Sequence, residues 1–258
     1  MSATVLKLIA LALMLGDHIA EFIPGAPIWL HWLGRISAPL FIFCMCEGFF
    51  HTHDRKKYLL RIYLCGVGMS LLDVALIAIV PKPYNMPVNN IFVTLAIISA
   101  IIGLIEGFRA RKRGTWKWLI AFLALQLVSI FACAYAYMGT GIIGVLLFTS
   151  ALLPSIFYCE GGVFVVLLGV MLYYVREKRV TLAVGYVIYC AVYLAATLAT
   201  GGVTVQNLLY EGYQWMMIGA LPFMLAYNGE RGAGLKYLFY IFYPLHIAVL
   251  YLIGNLCF

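Results

Sequence analysis

Charge is what this sequence has least of. Only 10% of its 258 residues are Asp, Glu, Lys or Arg, while 65% are hydrophobic and the mean hydropathy is +1.00. A water-exposed fold needs about a quarter of its residues charged to cover its surface, so a soluble globular domain is excluded. The apolar runs also lack the alternating pattern of barrel strands, which leaves helices as the spanning elements. The seven cysteines are odd in number, lie mostly within apolar runs and show no CxxC spacing. They form neither a disulfide framework nor a thiolate metal site, and no metal is expected. No small-residue cleavage site follows the first apolar run, so that run is expected to remain as a helix. No repeat, linker or low-complexity stretch divides the chain, and residues 1–258 read as a single integral-membrane domain.

What is abundant is apolar sequence in long runs. Charge, Gly or Pro separates candidate spans at 4–23, 30–50, 57–80, 88–107, 115–136, 139–157, 160–175, 179–199, 212–227 and 235–256. The fold class is therefore all-α, a polytopic membrane helix bundle of about ten transmembrane helices. The net charge of +7 comes from short basic runs between apolar stretches, the mark of cytoplasmic loops rather than of nucleic-acid binding. Clusters at 53–57 and 109–113 lie two spans apart and put the N-terminus in the cytoplasm. The basic loop 176–179 then falls on the wrong side of ten spans. Either the stretch 139–157, interrupted by Ser150 and Pro154, is re-entrant, giving nine full crossings, or the loop departs from a charge rule that is a tendency and ten spans stand.

Ionisable residues inside the spans carry the functional signal, because one at bilayer depth costs at least ~2.5 kcal/mol unless it faces the protein interior. They cluster early: Lys7, Asp17, His18 and Glu21, then His31, Arg35, Glu47 and His51, then Arg61 and Asp73, with Tyr243 and His246 near the end. Lys7 and His18 share a helix face about 16.5 Å apart in height. Glu21 is placed to orient the His18 ring. Asp17 points toward a neighbouring helix at the depth of Arg35, and that pair would keep both charged in the bilayer. Glu47 and His51 are spaced i, i+4. Tyr243 and His246 flank Pro244, a costly combination at mid-bilayer depth. Around His51, a patch containing His53, Arg55, Lys56, Lys57 and Arg61 reads as a topology signal. Arg61, one turn inside its span, is placed to hold a phosphate.

Several of these residues belong to motifs that resemble a known family. Residues 6–19 (LKLIALALMLGDHI), Gly34-Arg35-Ile36-Ser37-Ala38-Pro39-Leu40-Phe41, Glu47-Gly48-Phe49, Asn90-Ile91-Phe92 and Phe242-Tyr243-Pro244-Leu245-His246 are similar to the TraX family. That family is named for acetylation of a conjugal pilin and is related to the membrane acyltransferase-3 group. Lys7 and His18 also match that group's basic-x10-His pattern, whose histidine is taken as catalytic. The resemblance implies transfer of an acyl unit, usually acetyl from cytoplasmic acetyl-CoA, to an acceptor on or across the membrane.

The expected function is thus acyl-CoA-dependent transfer to a hydroxyl or amine of a lipid, glycan or protein, with the pilin acceptor not carried over. His18 would be general base. Asp17 would fix its tautomer, and Lys7, Arg35, Glu47, Asn90, Tyr243 and His246 would bind substrate. His51, Arg55, Lys57 and Arg61 would hold the CoA phosphates. The alternative is a transporter or channel using the same buried Asp, His and Arg as a relay.

Overall fold

The structure, a computed structural model, describes residues 1–80 and 84–257, and among them every regular element is helical. In chain order these are α1 (Ala3–Phe22), α2 (Trp29–Gly34), α3 (Ser37–His51), α4 (Arg55–Ile79), α5 (Ile91–Arg109), α6 (Thr115–Thr140), α7 (Ile143–Leu152), α8 (Gly162–Val175) and α9 (Arg179–Gly201). A π-helical turn (Gln206–Glu211), a 3-10 segment (Tyr213–Ala220) and the short α10 (Leu221–Leu225) lead to α11 (Lys236–Leu256).

Among the described residues, seven stretches are long and apolar enough to cross a membrane: Ala3–Phe22, Trp29–His51, Arg55–Ile79, Ile91–Arg109, Thr115–Thr140, Arg179–Gly201 and Tyr237–Leu256. The chain is a multi-pass membrane helix bundle, as its composition requires, but the helices divide differently from the ten expected spans. α7 has ten residues, about 15 Å of helix against a roughly 30 Å core, so it cannot cross. That is the length limit expected of a re-entrant segment at 139–157. α8 is also short, at 14 residues. Residues 212–227 form 3-10 and short α-helix rather than a span.

The chain packs as two compact units, Met1–Glu47 with Met171–Phe258, and Gly48–Val170. In the first, α1 packs against α2 and α11, and α9 against the 3-10 segment. The buried stripe of α1 runs Leu6, Ala10, Met14, Asp17, His18 and Phe22, a spacing of three and four that keeps one side of the helix inward. Two glycines set how closely its neighbours approach. A Cβ on Gly254 would lie 1.9 Å from the Phe22 carbonyl oxygen, and one on Gly34 would lie 2.3 Å from Asp17 Cβ and Cγ. Only hydrogen at these positions lets α11 and α2 sit against the C-terminal half of α1.

The other end of α1 is tied to residues 226–233. The N-terminal ammonium donates to the Ala226 carbonyl at 2.6 Å, the Ala3 amide to Glu230 at 2.8 Å, and Thr4 Oγ1 reaches the Ala233 carbonyl at 2.6 Å. The Ala3 bond, with that of the Thr4 amide to the Arg231 carbonyl at 3.2 Å, satisfies donors that a helix start leaves without intrahelical partners. In the second unit, α4 packs against α5 and α7, and α6 against α7. Asp54 caps α4 by accepting from the Lys57 amide at 3.0 Å, and that bond holds its carboxyl below the usual aspartate range.

Candidate functional site

The first unit gathers ionisable side chains around the C-terminal half of α1 in two adjoining groups. The first centres on His18, which is 7% exposed, and His246 of α11, 6% exposed. His18 Nδ1 lies 2.7 Å from His246 Nε2, and His246 Nδ1 lies 2.7 Å from the Phe242 carbonyl oxygen. A carbonyl can only accept, so His246 Nδ1 carries its hydrogen and, in a neutral ring, Nε2 is bare. His18 Nδ1 must then donate to it. The bare nitrogen of His18 is therefore Nε2, which faces the Glu21 carboxylate at 3.9 Å. One hydrogen-bonded row runs from a backbone carbonyl through two imidazoles and ends in a free base.

The rings are also fixed by packing. The His18 and His246 ring centroids are 4.9 Å apart and nearly parallel, with the Phe242 ring stacked on His246 at 4.9 Å. The Tyr243 ring stands edge-on at 6.4 Å from His18 and 5.7 Å from His246. Pro244 between them has no amide hydrogen to give the preceding turn, a local weakness in α11 that suits a site-bearing helix.

The second group balances charge. Asp17 Oδ2 lies 2.5 Å from Arg35 Nη2, and Oδ1 lies 2.7 Å from His31 Nδ1. Arg35 Nη1 donates to Gln214 Oε1 at 3.2 Å, and its guanidinium sits 5.6 Å over the Tyr213 ring, which also stacks on His31. Gln214 is held in place because Tyr186 on α9 donates to the Met217 carbonyl at 2.7 Å and Trp32 on α2 donates to that of Leu209 at 2.7 Å.

The Asp17–Arg35 pair expected from depth is present, but the expected role of Asp17 is corrected. Both of its oxygens are taken by His31 and Arg35, and the ring of His18 is oriented by His246 instead. His31 stands among the in-span ionisable residues without an expected role, and Gln214 is not among them. His31 is legible from its i, i+4 spacing with Arg35, whereas nothing in the sequence marks Gln214.

The remaining expected residues lie elsewhere. Lys7 Nζ sits 5.7 Å over the Phe239 ring, toward the opposite end of α1. Glu47 is held by Arg176 Nε at 3.3 Å and the Tyr227 hydroxyl at 3.5 Å. There it neutralises a buried arginine. Arg176, whose side chain is 6% exposed, is for the same reason not a solvated loop charge, and only Lys178 and Arg179 are left as basic topology signals in that loop.

Asn90, His51, Arg55, Lys57 and Arg61 belong to the second unit. Arg55 packs over the Phe49 ring at 5.1 Å, His51 lies edge-on to Phe50 at 5.0 Å, and Lys57 pairs with Asp54 at 3.3 Å. Arg61 shares the exposed face of α4 with Leu64 and Leu71, where a long cationic side chain snorkels to the interface. Arg55 and Lys56 line an open recess with His53, Asp54 and Lys112.

A polytopic helical membrane protein with a buried imidazole pair beside a neutralised Asp–Arg pair is thus the class that fold and site define. Residues 2–254 match the family described as TraX protein, and the chain belongs to it. It is 27% identical, over 261 residues, to the "Probable fimbrial assembly protein FimC, serogroup H1" of Dichelobacter nodosus, covering 96% of this chain and 94% of that protein. No solved structure matches. The expected function is overturned by these findings. They contain no acyl-CoA transferase and no transporter, and the similarity is to a fimbrial assembly protein, the direction that was set aside when the pilin acceptor was not carried over. The kinship with the acyltransferase-3 group drawn from the motifs is not carried by them either.

Proposed function

We propose that this chain is a membrane enzyme of fimbrial assembly that acetylates a fimbrial subunit. Its membership of the TraX family and its likeness to a fimbrial assembly protein support the process. The observation that carries the chemistry is the row from the Phe242 carbonyl through His246 to His18 Nδ1, which leaves His18 Nε2 bare when both rings are neutral. A buried neutral imidazole held in one tautomer is a general base needing no rearrangement before it accepts a proton.

In this reading an amine of the subunit attacks the carbonyl of an activated acetyl donor. The carbon–nitrogen bond forms, the bond to the donor's leaving group breaks, and the amine proton passes to His18 Nε2 and from there to the leaving group. Glu21, 3.9 Å from that nitrogen, stabilises the transient imidazolium. Tyr243 walls the rings, and the Asp17–Arg35–His31 group keeps the neighbouring charges balanced. The protein acts in the bacterial cytoplasmic membrane with its N-terminus inside, the orientation favoured by the basic clusters at 53–57 and 109–113.

The test is the intact mass of the fimbrial subunit purified from cells carrying the wild-type chain, the His18→Ala variant or no chain. The subunit should bear an acetyl-sized addition only with the wild type. The same addition in cells lacking the chain would overturn the proposal.

A further inference from the structure

The second unit contains a polar cluster that the proposed chemistry does not use. Asp73 on α4 is 1% exposed, and its Oδ1 is buried with no hydrogen-bond partner. Asn90, at the start of α5 and 9% exposed, donates from Nδ2 to the Gly66 carbonyl at 2.8 Å and to Ser70 Oγ at 3.0 Å. Because the Gly66 carbonyl can only accept, the amide cannot be turned around, and Asn90 Oδ1 is fixed as an acceptor. It too is buried without a partner. Ser70 and Asp73 are one turn apart on α4, so the hydroxyl that meets Asn90 and the Asp73 carboxylate share a face. Glu160 is near enough to Asp73 to interact with it electrostatically, and its backbone carbonyl accepts from Thr94 Oγ1, one turn along α5 from Asn90, at 2.8 Å.

Two buried acceptor oxygens thus flank Ser70, that of Asn90 across its hydrogen bond to the hydroxyl and that of Asp73 one turn along α4, and the charged neighbour of Asp73, Glu160, is itself negative. A buried acceptor without a donor costs about 1–3 kcal/mol, more when charged, and a carboxylate at bilayer depth needs a positive counterpart. The donors present are all hard oxygens: carboxylate, amide oxygen and hydroxyl. That set suits an alkali or alkaline-earth ion and not zinc or copper.

We propose that Asp73, Asn90 and Ser70 bind one sodium ion inside the second unit, with Glu160 contributing to the negative field. The ion neutralises Asp73, supplies the partner that Asn90 Oδ1 lacks and ties α4 to the start of α5.

The experiment uses the full chain purified in detergent and melted in sodium chloride or in choline chloride at equal ionic strength. Sodium should raise the melting temperature saturably, by about 5 to 10 °C at a hundredfold excess over its dissociation constant. Asp73→Asn should abolish the rise, whereas His18→Ala should retain it, so the result is independent of the acetylation reading. If Asp73→Asn does not fold, Ser70→Ala should raise the sodium concentration needed at least about tenfold, the cost of one lost oxygen ligand. No sodium-specific rise in the wild type would overturn the site and leave a carboxyl proton as the neutralising group. So would a rise unchanged in Asp73→Asn or Ser70→Ala, or one produced only by divalent ions.

Discussion

Replacing Gly34 by alanine tests whether the approach of α2 to α1 is what holds the charged group of the site. The added Cβ would lie 2.3 Å from Asp17 Cβ and Cγ and 2.5 Å from Oδ1. Asp17 cannot rotate aside without loss, because Oδ1 is held by His31 at 2.7 Å and Oδ2 by Arg35 at 2.5 Å. Two responses are open to the structure. α2 can shift outward, an overpacking cost of about 1–3 kcal/mol, or the carboxylate can leave its partners, which for a buried pair costs about 3–5 kcal/mol. The side chains of Asp17 and Arg35 are 13% and 27% exposed, so water screens part of that second cost, but the shift of α2 remains the cheaper route. At roughly 2–4 °C per kcal/mol for a chain of this size, Gly34→Ala should melt about 2 to 12 °C below the wild type. In an Asp17→Gly background the clashing Cβ, Cγ and Oδ1 are all gone and the pair is already broken, so the same substitution should cost less, with a coupling of about 1 kcal/mol or more. Thermal unfolding of the four proteins of this cycle in detergent measures both numbers. A Gly34→Ala protein melting within about 1 °C of the wild type, or strictly additive losses, would refute the account.

Other substitutions separate the site from its scaffold. His246→Leu removes the acceptor for His18 Nδ1, and subunit acetylation should fall about 100-fold or more, the usual worth of a positioned base; His246→Gln, whose amide oxygen can accept that hydrogen, should keep more activity, and equal losses in the two would argue against the imidazole row. Arg176→Met leaves Glu47 without its ion-pair partner and should destabilise the protein by about 3–5 kcal/mol, read as a lower melting temperature, and a melting curve unchanged from wild type would contradict the buried pair. Arg61→Ala, on the exposed face of α4, should change neither melting temperature nor the acetylated fraction of the subunit, and a large drop in acetylation would return Arg61 to the site.

The long helices were legible because the bilayer imposes its own length and polarity on any segment that crosses it. α1, α4, α5, α6, α9 and α11 each coincide closely with an apolar run bounded by charge, Gly or Pro. The short elements were not: α7 and α8 are as apolar as spans, and apolar composition alone does not say where a helix stops. The division of 212–227 into 3-10 and α turns depends on partners such as Tyr186, whose bond to the Met217 carbonyl lies 31 residues away in sequence.

The candidate site divides in the same way. By itself the sequence determined the membrane class, the presence of Asp17 and His18 at depth, and the pairing of Asp17 with Arg35, because an isolated charge in hydrocarbon is costly enough to demand a partner. Only the tertiary structure decided that His18 turns away from its neighbour Asp17 toward His246, 228 residues distant, and so which of its nitrogens is bare. It also decided that Glu47 serves Arg176 and that Asn90 bonds Ser70 and the Gly66 carbonyl. The physical reason is that burial cost is a property of each residue and can be read along the chain, whereas the hydrogen bonds that offset it depend on which helices touch, and two missing side chains, at Gly34 and Gly254, are what let the helices around α1 come that close.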